Sequence, residues 1–189
     1  MAEEHHGTAK IAELIRGIRI ATLTTVSENG RLRSRPMATQ KAEFQGTLWF
    51  LTYDDSPKTN EIEREQQVNV SYSDPADQCY VSISGRARVT RDRQRIRELW
   101  SPIHKAWFPN GEDDPNIAVI EVNADEAEYW DSPNGAFVKI AGLAKAMATR
   151  KPYLPGENVR VDLTTGEEVD AKRATLDRIE SKKKDEPAA

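Results

Sequence analysis

The spacing of apolar residues changes several times along the chain, and each change predicts an element. Ile11, Leu14, Ile15 and Ile18 fall at i, i+3, i+4 and i+7, which predicts an amphipathic helix over about Thr8 to Gly17. Ile20 to Val26 is rich in β-favouring residues, and Ser27-Glu28-Asn29-Gly30 carries an Asn-Gly hairpin signal. The returning strand is Arg31-Leu32-Arg33-Ser34-Arg35-Pro36-Met37-Ala38-Thr39. Alternation sets Arg31, Arg33 and Arg35 on one face and Leu32, Ser34 and Pro36 on the other. Pro36 lacks a ladder donor, so this strand lies at an edge or is interrupted there. A turn near Gln45-Gly46 leads to a strand from Leu48 to Tyr53, and a helix follows from about Ser56 to Glu65. Val68 to Ser73 reads as a strand closed by Asp74-Pro75-Ala76-Asp77. Cys79 to Thr90 reads as a long strand whose central Gly85 marks a bulge or bend. Asp92 to Trp107 is expected to be a single amphipathic helix, with Ile96, Leu99, Trp100 and Ile103 on one face. Asn116 to Asp131 returns as a strand.

Six strand segments with interspersed helices predict a mainly β (α+β) fold, a small closed barrel with flanking helices. Several connections are too short for parallel crossovers, and the chain has no GxGxxG or P-loop sequence, so a doubly wound nucleotide-binding sheet has no support. Beyond residue 131, Ser132-Pro133-Asn134-Gly135 precedes an Ala-rich run, Phe137 to Ala148, which reads as a helix or helical hairpin weakened by Gly142. Thr164 to Ala189 is rich in Lys, Glu and Asp and reads as a solvated, largely disordered tail. The expected organisation is a barrel domain over residues 1–150 and a charged extension over 151–189.

The junction Thr52-Tyr53-Asp54-Asp55-Ser56-Pro57-Lys58 is the chain's best candidate for chemistry. Cap-type residues followed by Pro mark a helix start. The first N–H groups of a helix have no internal partner and attract anions. Lys58 and the hydroxyls of Thr52 and Ser56 could complete a phosphate seat; an ordinary capped helix with Lys58 in water is the competing reading. The three strand arginines are similarly open. They are solvated, or they meet a dianion that suits the planar guanidinium fork.

Charge sharpens this choice. The 27 Lys and Arg against 31 Asp and Glu give a net charge of −4 over 189 residues. Nucleic acid is therefore not expected as a partner, because that needs a basic footprint. A basic strand face on an acidic background favours a specific anion site. Cys79 is the only cysteine, and its strand context predicts a buried, inert thiol. His5-His6 and the isolated His104 lack metal-ligand spacing, so no metal is expected. Without an apolar run long enough for a membrane span, the expectation is a cytoplasmic protein with no membrane partner. Trp100, Trp107 and Trp130 would by default be packing residues.

In combination, the R-S-R-P-M strand, the W-F-L-T strand and the T-x-x-x-S-x-K junction resemble the pyridoxamine 5'-phosphate oxidase-like superfamily of FMN-binding split barrels, most closely its general stress protein 26-like branch. The resemblance covers residues 8 to 131. It implies a six-stranded split β-barrel with FMN bound between the subunits of a homodimer. It implies that Arg33, Arg35, Thr52, Ser56 and Lys58 hold the FMN phosphate and that backbone around Pro36 and Met37 lies along the flavin ring. Trp107-Phe108-Pro109 and Tyr129-Trp130-Asp131 resemble aromatic elements of that branch, which places Trp107 and Trp130 in the flavin pocket. FAD and F420 are the alternative cofactors within related barrels; haem would need His104 as its axial ligand.

The implied function is that of an FMN-dependent oxidoreductase passing electrons between the flavin and small-molecule donors or acceptors. Members that oxidise pyridoxamine phosphate end in a basic, Trp-containing segment and an R-L-x-P terminus. Arg150-Lys151-Pro152 does not match it, so that activity is not expected. The catalytic residues are not evident: the chain has no carboxylate pair at a telling spacing and no Ser/His/Asp pattern. The alternatives are a flavin-binding or flavin-storing module without turnover, and an interaction module.

Overall fold

The computed structural model describes residues 6–40, 43–131 and 157–170. The Ala-rich segment 136–148 and the tail beyond residue 170 lie outside these residues. Helix α1 (His6–Ile15) leads into the hairpin of β1 (Ile20–Val26) and β2 (Leu32–Ala38), followed by β3 (Thr47–Tyr53) and α2 (Pro57–Arg64). Next come β4 (Gln67–Asp74), β5 (Cys79–Thr90), α3 (Arg93–Leu99), a 3-10 helix (Pro102–Ala106) and the long β6 (Ile117–Asp131). Strands β7 (Glu157–Asp162) and β8 (Glu168–Asp170) complete the described residues.

All strand pairings are antiparallel, and the hydrogen-bonded order is β2-β1-β4-β5-β6-β7-β8 with β3 also on β6. Strand β6 organises the sheet. Nearly its whole length pairs with β5 on one edge. On the other edge, Ile117–Asn123 pairs with β3 and Glu126–Asp131 pairs with β7, one after the other. Strands β2 and β3 approach each other at the seam without a ladder. The result is a six-stranded barrel, β2-β1-β4-β5-β6-β3, split between its first and last strands, and it fulfils the architecture expected from the sequence.

Side-chain alternation fills the barrel. Leu23, Phe50, Val70, Val81, Ile83, Ile120 and Val122 are buried inside, with Ile11 of α1 packed against them. A second cluster of Leu51, Ile96, Leu99, Phe108, Ile117 and Val119 lies under α3. Strand β3 is therefore buried on both faces, Phe50 toward one cluster and Leu51 toward the other, which accounts for its unbroken apolar run.

Three local features follow from the sequence. The Asn29-Gly30 turn closes as expected, with Gly30 at φ 75°. Strand β2 pairs only with β1, the edge position that Pro36 requires. The β5–β6 register shifts between Ser84 and Gly85. There a Cβ on Gly85 would lie 2.2 Å from the Asn123 carbonyl oxygen, so β6 crosses at a distance only glycine permits.

One expected helix is two. The stretch Asp92 to Trp107 breaks at Ser101-Pro102, because Pro102 has no N–H to continue the ladder and its ring would strike the preceding turn. Asp92 caps α3 through the amides of Gln94 and Arg95, and Ser101 with His104 forms a capping box for the 3-10 helix. The predicted apolar face is divided accordingly: Ile96 and Leu99 are buried, whereas Ile103 is exposed to solvent. Past the boundary expected at residue 150, β7 adds to the main sheet and places Val161 in the core. No helix among the described residues is long and apolar enough to cross a membrane.

Candidate functional site

Strand β2 and helix α2 face each other across β1. Alternation directs Arg33 and Arg35 to the same side of β2, and α2 presents Thr59, Glu61 and Ile62 as its buried stripe. Glu61 is thus a carboxylate in an apolar helical position, and the arginines reach it there. Arg35 Nη2 donates to Glu61 Oε2 at 2.7 Å, and Arg33 Nη1 donates to Glu61 Oε1 at 3.2 Å. Buried Thr25 on β1 completes the network. Its hydroxyl donates to Glu61 Oε2 and accepts from Arg35 Nη1. Burial pushes the Glu61 carboxyl up, but the Thr25 hydrogen bond and the two guanidiniums outweigh it and hold the carboxyl below the usual range.

Lys58 projects from the first turn of the same helix. Burial pushes its ammonium pKa down, and the neighbouring Arg35 guanidinium pushes it down further; Glu61 acts in the opposite sense. Among the described residues, no carboxylate forms an ion pair with Lys58. Ser56 occupies the N-cap of α2 without a side-chain capping hydrogen bond, unlike Asp92 on α3. The first-turn amides therefore have no side-chain acceptor. The Ser56 hydroxyl lies 3.3 Å from that of Thr52, and Thr59 ties the turn together by donating to the carbonyls of Asp54 and Ser56.

The charges at this place do not balance. Within this cluster Arg33, Arg35 and Lys58 are three cations against the single carboxylate of Glu61, an excess of two positive charges among these four side chains on a protein of net charge −4. A phosphate monoester, with charge close to −2 at neutral pH, fits that excess. Pro57 has no N–H and the Thr59 amide donates to the Ser56 carbonyl at 3.0 Å, so the first-turn donor left is the Lys58 amide, beside the hydroxyls of Thr52 and Ser56. Beside the seat, a cleft of about 350 Å³ opens between the β1–β2 turn and α2, and its charged lining is balanced, Glu28 and Glu61 against Arg33 and Arg64.

The remaining sequence candidates are distributed differently. Pro36 is exposed on β2, and the Met37 side chain is buried in the barrel, leaving its backbone on the edge strand. Trp107 is half exposed, and its carbonyl accepts the Tyr53 hydroxyl at 3.0 Å, at the Ile117 end of β6. Trp130 lies near the opposite end of β6, opposite Tyr80 of β5. The two tryptophans thus lie toward opposite ends of β6, whose Ile117-to-Trp130 stretch is on the order of 40 Å of strand. The His104 ring is buried, its Nδ1 accepts the Ser101 amide at 2.9 Å, and burial pushes its pKa down. Cys79 is buried, and burial with the nearby Asp131 and Asp74 carboxylates raises its thiol pKa, as an inert thiol requires.

Sequence reasoning missed Glu61 and Thr25. The available signal was Glu61 beside Ile62 on the inward stripe of α2, where a carboxylate needs a cationic partner.

The antiparallel split barrel defines the class of protein. A family model described as pyridoxamine 5'-phosphate oxidase like matches residues 6–153, and the chain belongs to that family. Protein bli-3 of Neurospora crassa is 33% identical over 138 residues, covering 68% of this chain and 66% of that protein, just under two thirds of its length. Two solved structures are similar as well. General stress protein 26 of Bacillus anthracis is 28% identical, with 66% of this chain and 93% of that one covered and a TM-score of 0.58. The general stress FMN/FAD-binding protein of Xanthomonas citri is 27% identical, with 68% and 90% covered and a TM-score of 0.60.

Proposed function

We propose that this protein binds FMN, with the flavin phosphate seated on Arg33, Arg35, Lys58 and the hydroxyls of Thr52 and Ser56. The observation that carries the reading is the uncompensated double positive charge beside the uncapped start of α2. The FMN/FAD-binding relative from Xanthomonas citri supports a flavin as the ligand. A bound flavin supplies hydride and electron transfer; the chain supplies the phosphate contacts and, along the Pro36–Met37 backbone, an edge-strand surface for the ring. The reading extends to a homodimer. Trp130 and its neighbour Tyr80 are both partly exposed on the outer sheet. Trp130 sits opposite Tyr80 near the Asp131 end of β6, and in this reading it meets the flavin held by the other protomer. The proposed activity is that of an oxidoreductase of the general stress type, with the flavin exchanging electrons with small molecules.

The deciding experiment is the visible spectrum of the purified protein before and after loading with FMN and desalting. A retained flavin band that reduced nicotinamide bleaches supports the oxidoreductase reading. A band that no donor bleaches leaves flavin storage, and no band after loading rejects the site.

Two further outcomes follow from the geometry. FMN affinity should be greatest in a pH window. It falls below about pH 6 as the phosphate takes up its second proton. It also falls at alkaline pH, beginning below the ordinary lysine value because Lys58 loses its proton early. Lys58→Arg should abolish the alkaline limb in fluorescence titrations across pH. The tryptophans contact the ring in this reading, so Trp107→Ala and Trp130→Ala should weaken FMN and riboflavin alike. Sedimentation velocity on the Trp130 variant should show weaker self-association, and unchanged affinity for both flavins would remove the tryptophans from the pocket.

A further inference from the structure

The two arginines of the seat do not point freely at a ligand: a buried carboxylate on the facing helix holds both. We propose that Glu61, together with Thr25, is a positioning residue that fixes the Arg35 and Arg33 guanidiniums so that the seat reads a terminal phosphate dianion. The inference rests on the flavin-phosphate reading above and assigns that recognition to a residue outside the ligand contacts themselves.

The geometry supports positioning over simple charge neutralisation. Glu61 divides its two oxygens between the two arginines, Oε2 to Arg35 at 2.7 Å and Oε1 to Arg33 at 3.2 Å. Thr25, fully buried, bridges Arg35 and Glu61 from β1, so the Arg35 guanidinium is held at two of its nitrogens, Nη1 and Nη2. A guanidinium carries five N–H donors, so Arg35 keeps donors for a further acceptor while its plane is fixed. Strand β2 is an edge strand, and Arg33 is more than half exposed, so without this anchor the Arg33 side chain would be free to spread into solvent. Ordering two long side chains in advance removes an entropic cost from ligand binding. Glu61 also sets the seat's charge. Without it the excess would rise from two to three, which by attraction alone would tighten dianion binding, so a loss of FMN affinity on removing Glu61 reports lost positioning and not lost charge. A flavin dinucleotide spreads its two negative charges over the two phosphoryl groups of a pyrophosphate, whereas a terminal monoester concentrates them on one phosphate that this single seat can hold.

The test measures FMN and riboflavin affinities by fluorescence quenching for wild type, Glu61→Gln and Thr25→Val, with the Tm of each. Glu61→Gln removes the charge and keeps the shape. Thr25→Val removes the bridging hydroxyl and keeps every charge. The expected result is a loss of FMN affinity of about tenfold or more in Glu61→Gln and a smaller loss in Thr25→Val, with riboflavin affinity unchanged in both. A purely structural role would move both flavins together and overturns the proposal. Tighter FMN binding by Glu61→Gln also overturns it, because Glu61 would then compete with the phosphate for the arginines. If Glu61→Gln does not fold, Thr25→Val decides, and an unchanged FMN-to-riboflavin ratio rejects the positioning role. A wild-type protein that binds the two flavins equally rejects the phosphate seat itself, separately from the role of Glu61.

Discussion

Replacing Arg35 with Ala should lower FMN affinity by about 1.5–3 kcal/mol, roughly ten- to a hundredfold, and leave riboflavin affinity unchanged. Lys58→Ala should do the same to FMN. The two variants should nevertheless differ in stability. Among the described residues Lys58 pairs with no carboxylate, so its removal relieves a half-buried charge crowded by Arg35. Arg35 is the closer partner of Glu61, whose side chain is only 7% exposed. Removing it leaves that carboxylate with Arg33 and Thr25 alone, at a cost of about 2–4 kcal/mol. Chemical denaturation should therefore separate them, with Arg35→Ala losing stability and Lys58→Ala holding or gaining it. Equal loss in both would mean that Lys58 is tied into the fold and is not waiting for an anion.

Gly85→Val should be the most damaging single substitution in the barrel. The added Cβ would overlap the Asn123 carbonyl oxygen and press on Ala124 Cα at 2.9 Å, both backbone atoms of β6. Backbone cannot swing aside as a side chain does, so β5 and β6 must separate where the sheet depends on their ladder. A loss of about 3 kcal/mol or more is expected from this buried steric overlap. Gly30→Ala is the control. That glycine has positive φ but open space around it, so its cost is conformational only, about 1 kcal/mol. Thermal unfolding of the two variants compares steric with conformational cost directly, and similar Tm values would show that the β5–β6 crossing is looser than its register implies.

Most of the barrel was legible because its strands announce themselves locally. Asn29-Gly30 fixed one hairpin, Pro36 marked an edge, and Gly85 marked the bulge, each through backbone chemistry that depends little on the rest of the chain. The break at Pro102 was equally local, but the apolar spacing of Ile96, Leu99, Trp100 and Ile103 continued through it and suggested one helix where there are two. Strand β7 was hidden for a different reason. Val159 and Val161 alternate with polar residues inside a charged extension, and only β6, thirty residues earlier, makes that alternation a strand. The site divided along the same line. Arg33, Arg35 and Lys58 stood out as charges needing a purpose. Glu61 and Thr25 draw their meaning from contacts across 28 and 36 residues of sequence with Arg33 and with each other, which residue spacing does not encode.

Strand β6 also works as the molecule's ruler. Three strands are measured against it, β5 along one side and β3 then β7 along the other, and the bulge at Gly85 notches it at a single place. A slip of one residue would turn every side chain of β6 to the wrong face and would have to break all three ladders at once. Errors of alignment during folding are thereby confined to the outer strands. The amides of β6 should be the last in the chain to exchange with deuterium.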